Sequence, residues 1–207
     1  MNVLYLTSSP RGADSYSSRV ANELIADIRR DNPGATVVTR DLAADPLPHI
    51  DADFVAATRG PNGPQTDHQR DLVRRSDELL GEVQAADTII IATAMINFTI
   101  PSTLKAWFDW IGRPGKAFAY VDGKPKGLLT GKRVVIIGAS GGIYSGDNPP
   151  GDFQRPYLKW ILNFMGITDV EFVDVDGIGY GPEQAAKSLA AANGKVHAMC
   201  DKAAAAA

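Results

Sequence analysis

The stretch TIIIATAMINFTIPSTLKAWFDWIG, residues 88–112, decides the fold. Its beginning, Thr88 to Ala92, is a nearly continuous apolar run, as in a strand that is covered on both faces. Its end has large apolar side chains at the i, i+3, i+4, i+7 spacing of an amphipathic helix: Leu104, Trp107, Phe108 and Ile111. A buried strand that leads into such a helix is typical of a parallel sheet covered by helices.

The same alternation recurs along the whole chain. Strands are predicted at 3–6, 36–39, 88–92, 133–137 and 170–175, with helices between and after them. The pattern predicts an α/β, three-layer fold with a five-stranded parallel sheet in the flavodoxin-like order 2-1-3-4-5. We expect one domain, residues 1–202, and a disordered alanine-rich tail, 203–207. The Pro- and Asp-rich region 43–66, with at most one helical turn, is too long for a plain connection and indicates a functional lobe or a partner contact.

Composition narrows the functional classes. The 207 residues are 44% hydrophobic and carry a net charge of −3 without a basic stripe, which argues against nucleic acid as a partner. No apolar segment reaches membrane-spanning length, so no membrane partner is expected. Cys200 is the single cysteine and favours a reduced, cytoplasmic setting. The three histidines, His49, His68 and His197, share no metal or catalytic spacing, so no metal site is predicted.

Three loops are expected on one rim of the sheet, after strands one, three and four. The first, TSSPRGADSYSS at 7–18, has polar side chains at and before the start of a helix: Ser9, Ser15, Tyr16 and Ser17. Unpaired N–H groups at a helix start, together with serine hydroxyls, suit a phosphate group. The alternative is that these serines only cap the helix.

The second loop, TAMINFTIP at 93–101, places apolar side chains where the sheet ends. Met95 and Phe98 would form an apolar wall, and Asn97 brings an amide that both donates and accepts. This combination suits a planar heterocycle with a polar edge. A capped corner buried against a neighbouring element is the alternative.

The third loop, GASGGIYSG at 138–146, contains Ala139, Ser140, Gly141 and Gly142. Adjacent glycines let a backbone approach a ligand closely. Together the three loops predict a slot that holds a phosphate tail at one end and a flat ring at the other.

The chain resembles the FMN-dependent NADH azoreductases, which are flavodoxin-fold homodimers related to NAD(P)H quinone oxidoreductases. The resemblance runs from the first strand to the last helix. Its motifs are SS at 8–9, SYS at 15–17, RDLAADPLP at 40–48, MINF at 95–98, FAY at 118–120, SGG at 140–142, MGITDV at 165–170 and GIGYGPEQAA at 177–186.

The resemblance implies bound FMN and a set of residues around it. Ser9 and Ser15-Tyr16-Ser17 would hold its phosphate and ribityl end, Met95-Ile96-Asn97-Phe98 would flank the ring, and Ala139 to Gly142 would run beneath the ring near N5. The family has tyrosine where this chain has Ile96, and often serine and arginine where it has Ala139 and Ser140. Candidates for the substrate pocket are Phe98, Phe118, Tyr120 and Tyr144.

The resemblance also implies a homodimer with the flavin at the interface, covered by Phe118, Tyr120 and part of residues 43–66 of the other subunit. The alternative is that these two residues only stabilise a hairpin around Asp122-Gly123. The aromatic helix with Trp107, Phe108, Trp110 and Ile111 favours a subunit interface, although a monomer core would look similar.

The function implied is ping-pong, two-electron hydride transfer from NADH or NADPH to a quinone or azo acceptor, with FMN carrying the chemistry and no catalytic side chain. The alternative is a non-enzymatic electron carrier of the flavodoxin type. Such carriers are strongly acidic, and the small net charge of −3 argues against that alternative.

Overall fold

The computed structural model describes residues 1–146 and 149–205. The strands are β1 Asn2–Thr7, β2 Thr36–Asp41, β3 Thr88–Ala94, β4 Phe118–Val121, β5 Lys124–Gly127, β6 Arg133–Ala139 and β7 Asp169–Val175. The helices are α1 Tyr16–Asp31, α2 Ala52–Arg59, α3 Asp67–Ala85, α4 Ser102–Ile111, α5 Gln154–Phe164 and α6 Pro182–Ala205. Strands alternate with helices except where α3 follows α2 and where three strands, β4 to β6, follow one another.

Five of these strands form one parallel sheet in the order β2-β1-β3-β6-β7. The predicted order 2-1-3-4-5 is corrected in one detail, because two strands that the prediction did not number, β4 and β5, precede the fourth strand of the sheet. They pair with each other as a separate antiparallel hairpin. Its turn is made by Asp122 and Gly123, with φ angles of 51° and 75°, values that suit a two-residue hairpin turn.

Helices cover both faces of the sheet, which explains the continuous apolar strands. In β3, Ile89 and Ile91 face the core beneath α3, α4 and α5, whereas Ile90 and Ala92 face the core beneath α1 and α6. Successive side chains of a strand point to opposite faces, so both sets must be apolar when both faces are buried. The three-layer α/β architecture is confirmed.

The aromatic helix α4 is buried within one chain, which corrects its interpretation as a subunit interface. Trp107, Phe108, Trp110 and Ile111 are at most 2% exposed. They cover most of the helix circumference because α4 packs on the sheet and is also covered by α3 and by the segment that contains α2.

The long region 43–66 folds against the core. It contains the two-turn helix α2, which begins after Asp51, whose side chain accepts from the N–H of Phe54 at 2.8 Å. Phe54 is 1% exposed, and its ring lies 4.9 Å from that of Trp110. The segment is therefore a covering layer of α4.

The last helix continues to Ala205, beyond the end expected near Lys202. Of the expected disordered tail, residues 206 and 207 lie outside the described residues.

Candidate functional site

The loop after β1 turns its serines inward at the start of α1. Ser9, Ser15 and Ser17 are at most 2% exposed. The Ser15 side chain caps the helix by accepting from the N–H of Ser18 at 3.3 Å, and its hydroxyl lies 3.0 Å from that of Ser17. Ser15 therefore caps the helix, but it accepts from only one of the first N–H groups. The N–H groups of Tyr16 and Ser17 also lie in the first turn, where a helix offers them no intrahelical partner.

Two arginines add positive charge at this helix start. The guanidinium groups of Arg11 and Arg19 lie 5.7 and 5.8 Å from the centre of the Tyr16 ring. The helix dipole adds a partial positive charge at the same end. The two guanidinium groups and the helix dipole would all stabilise an anion bound at this helix start.

The loop after β3 is a tight turn with unusual backbone angles. Ile96 and Thr99 exchange two backbone hydrogen bonds of 2.9 and 3.1 Å, and between them Asn97 and Phe98 have φ angles of 46° and 73°. Asparagine tolerates this left-handed region, but for phenylalanine it costs roughly 1–2 kcal/mol. The turn leaves the Phe98 ring 54% exposed, and such strain is concentrated at functional sites.

The loop after β6 is joined to the loop after β3. The N–H of Met95 donates to the carbonyl of Ala139 at 2.8 Å. A Cβ atom added to Gly141 would meet no atom within 4 Å, so this part of the loop faces open space. Ser140, in contrast, is 5% exposed, and its hydroxyl donates to the carboxylate of Asp176 at 2.7 Å.

A cleft of about 520 Å³ lies between the first two loops, a size common for small-molecule sites. Its floor contains Ser8 and Ser9, and one wall contains Ile96 and the start of α4. Its remaining lining residues are Pro10, Gly12, Asp41, Ala43, Ala44, Pro101, Ser102 and Thr103. Within the cleft, polar groups from β1 and an apolar side chain from the loop after β3 therefore face the same space.

The four candidates for the substrate pocket divide into two pairs. Phe98 and Tyr144 come together, since ring atoms of both lie within 4 Å of the position that a Cβ atom would take on Gly151. Phe118 and Tyr120 lie on the β4–β5 hairpin, where the Phe118 ring packs 4.6 Å from that of Phe164 on α5. Within one chain, neither pair lines the cleft between the first two loops.

Two polar residues of the rim were missed by the sequence interpretation. Gln154, at the start of α5, donates to the carbonyl of Ala94 at 2.9 Å and so supports the loop after β3. Asp176 follows β7 directly and binds the loop after β6 through its carboxylate. A carboxylate at the carboxyl end of a sheet strand is the signal that could have identified Asp176.

The residues present fit a ligand such as FMN, which has an anionic end and a flat ring. The helix N–H groups, hydroxyls and arginines at α1 suit the anion, and the open space at Gly141 leaves room for a ring close to the backbone. Within residues 1–146 and 149–205, no group of three His, Cys, Asp or Glu side chains is arranged to hold a metal ion. None of the helices in that part of the chain is long and apolar enough to cross a membrane.

Comparison with known proteins agrees with this geometry. A family model described as a flavodoxin-like fold matches residues 1–199. A protein of Mesorhizobium japonicum named FMN-dependent NADH:quinone oxidoreductase is 48% identical over 200 residues, which cover 96% of this chain and 95% of that protein. A protein of the same name from Agrobacterium fabrum is 44% identical over 204 residues, or 98% and 99% of the two chains.

A solved structure with a bound cofactor is also similar. The FMN-dependent NADH-azoreductase from Bacillus anthracis, in complex with FMN, superimposes with a TM-score of 0.88 at 28% identity. The match covers 99% of this chain and 100% of the other.

Proposed function

We propose that this chain, which belongs to the flavodoxin-like fold family and within it to the FMN-dependent NADH:quinone oxidoreductases, reduces quinones and azo compounds with NADH or NADPH as the electron source. The observation that carries the proposal is the cleft between the loops after β1 and β3. Ser8 and Ser9 give the cleft hydroxyl groups that suit a phosphate, and Ile96 lines it with an apolar side chain. The free N–H groups at the start of α1 follow in the same loop. The names of the relatives, including an azoreductase in complex with FMN, support the same activity.

In this proposal the protein binds and orients the cofactor and the substrates, and the cofactor carries the electrons. When bound, FMN supplies two-electron hydride chemistry in which donor and acceptor use one site in turn, a ping-pong scheme. Ser9, Ser15, Tyr16 and Ser17 at the start of α1 would hold the phosphate end of FMN. Met95, Ile96, Asn97 and Phe98 from one loop and Ala139, Ser140, Gly141 and Gly142 from another would hold its ring. No side chain of the protein is required to hold or move a proton.

The second candidate function is a non-enzymatic electron carrier. The net charge of −3 gives little electrostatic attraction for a protein redox partner, which disfavours this function. The relatives named above are oxidoreductases, which also favours the enzyme. The aromatic helix α4 does not help to decide between an enzyme and an electron carrier, because its side chains are buried within one chain and form no exposed docking surface.

We also propose a homodimer. A strip of aromatic side chains lies on α5 and the hairpin, where Trp160 is 64% and Tyr120 is 67% exposed. The rings follow one another from Trp160 to Phe164, Phe118 and Tyr120, with centroid distances of 5.3, 4.6 and 5.9 Å. Exposed aromatic surface of this kind is typical of an interface, so a second copy would cover it. Sedimentation at micromolar concentration tests this, and a monomer would contradict the dimer.

A cytoplasmic location is the remaining proposal. It is supported by the single cysteine, Cys200, which is free and buried on α6. Fractionation of the producing cells would test the location directly.

The decisive experiment is spectroscopic. The purified chain should show the visible absorbance of flavin, either as isolated or after addition of FMN. Anaerobic NADH, and in parallel NADPH, should bleach it without any reductase, and a quinone should restore it. A colourless chain that takes up no FMN at high concentration would refute the proposal, and a yellow chain that neither nucleotide bleaches would support the electron carrier.

A further inference from the structure

The loop after β6 is held along its length by the segment after β7. The carbonyls of Ser140, Gly141 and Gly142 accept from the N–H groups of Ile178, Gly179 and Gly177, at 3.1, 3.0 and 2.8 Å. The 178–180 segment is a single 3-10 turn that begins after Gly177, whose φ is 71°. Three consecutive carbonyls of the loop therefore point to the same side.

The N–H groups of this loop consequently point to the other side. In a trans peptide the carbonyl and the N–H lie on opposite sides of the chain. The N–H groups of Gly141, Gly142 and Ile143 are thus directed away from the 177–179 segment, and none of them donates to a backbone acceptor in the part of the chain that the structure describes. Successive N–H groups of this kind bind acceptor atoms of a ligand.

One carboxylate fixes the two ends of this arrangement. Asp176 is 8% exposed, and its Oδ1 accepts from the Ser140 hydroxyl at 2.7 Å. Its Oδ2 accepts from the N–H groups of Tyr144 at 2.8 Å and Ser145 at 2.5 Å.

We propose that Asp176 is a positioning residue, which locks the loop 140–145 so that the N–H groups of Gly141, Gly142 and Ile143 face the bound cofactor. The inference rests on the proposed function and extends it to a residue that follows the fifth strand of the sheet. Asp176 acts through the loop, because its carboxylate is occupied by three donors of the loop itself.

The hydrogen-bond pattern predicts which substitution of Asp176 keeps the loop in place. The Ser140 hydroxyl also lies 2.8 Å from the carbonyl of Gly142, and its single proton can serve only one acceptor at a time. In Asp176→Asn, the new amide can donate to Ser140, which then donates to Gly142, while the amide oxygen still accepts from Tyr144 and Ser145. Asp176→Ala removes the three contacts of the carboxylate, with Ser140, Tyr144 and Ser145.

The test compares wild type, Asp176→Asn and Asp176→Ala, with Asp174→Ala as a control. Asp174 precedes Asp176 by two residues and pairs with Arg155 instead of the loop. Hydrogen exchange of the apoprotein reports the Tyr144 and Ser145 amides, and fluorescence titration reports the Kd for FMN. We expect exchange at these amides and the Kd to rise at least ~10-fold in Asp176→Ala, and to stay within ~3-fold of wild type in Asp176→Asn and Asp174→Ala.

Every outcome decides the inference. Wild-type exchange and Kd in Asp176→Ala would overturn it, as would an Asp176→Asn variant that loses as much as Asp176→Ala. If Asp176→Ala does not fold, Ser140→Ala removes one of the three donors and should raise exchange and Kd in the same direction, and no change there would also overturn it. If wild type takes up no FMN, the proposed function fails, whereas the exchange data still decide whether Asp176 holds the loop.

Discussion

Trp110 donates its indole N–H to the carbonyl of Pro48 at 2.7 Å, which ties the segment before α2 to the buried helix α4. The same segment begins at the cleft, where Ala43 and Ala44 form part of the lining. The aromatic helix and the cleft are therefore connected through one covering segment.

Replacing Trp110 by Phe should loosen this segment. The substitution leaves the Pro48 carbonyl without its indole donor and should lower the free energy of unfolding by about 1–2 kcal/mol. Amide exchange over 43–60 should rise, as measured by mass spectrometry. Trp160→Phe is the matched control, since Trp160 is 64% exposed, and it should leave exchange in this segment unchanged.

Asn97 is expected to bind the polar edge of the ring through its amide. Asn97→Gly removes the amide but accepts the φ of 46° without strain, so the turn should persist. FMN binding should weaken by about 1–3 kcal/mol, measured by fluorescence titration. An unchanged Kd would argue against contact between this amide and the ring.

Gly141→Val should block the cofactor without harming the fold. The added side chain meets open space, and the φ of Gly141 lies outside the left-handed region. We expect the melting temperature of the apoprotein to be preserved and the Kd for FMN to rise at least ~10-fold. Gly34→Val, also in open space and next to the start of β2, is the control, and a fully loaded yellow Gly141→Val protein would contradict the assignment.

At position 98, glycine should give a more stable protein than alanine, which is the reverse of the usual order. Because its φ is 73°, Phe98→Gly should be more stable than Phe98→Ala by about 1 kcal/mol in urea denaturation of the apoprotein. At Trp160, which is 64% exposed in the interior of α5, alanine should instead be more stable than glycine by about 1 kcal/mol. If the alanine variant were the more stable one at both positions, the backbone at Phe98 would not be strained.

Stability at low pH should depend on Asp27. Burial alone would raise the pKa of this carboxyl, but hydrogen bonds and charge from His197 and Arg30 outweigh burial and lower its pKa below the usual 3.8. A lowered pKa stabilises the fold at pH values above 3.8, and the contribution is lost as the pH falls below that value. Asp27→Asn should therefore be less stable than wild type at pH 7, and the difference should shrink by pH 3 in urea titrations. A difference that does not vary with pH would refute this.

The sequence predicts the sheet, its helices and the rim because these follow from local patterns. The apolar run at 88–92 identifies a strand with two buried faces, and the serines at 15–17 identify a helix start. The role of Trp107 and Trp110 could not be predicted in the same way. A fully apolar helix has the same pattern whether a second subunit or residues 43–59 cover it, and the difference depends on a long-range contact.

The side-chain directions and backbone angles in the rim loops also depend on long-range contacts. Nothing in the sequence around Ser140 indicates that its hydroxyl faces Asp176, 36 residues later, instead of the ligand. The left-handed angles of Asn97 and Phe98 were also missed, because phenylalanine is an unexpected residue in that region.

The turn at Phe98 also has a consequence for the evolution of this chain. Variants selected for heat tolerance alone should gain glycine at position 98, since no other replacement relieves the backbone so completely. If turnover requires an aromatic ring at this position, thermal adaptation must come from substitutions elsewhere in the protein.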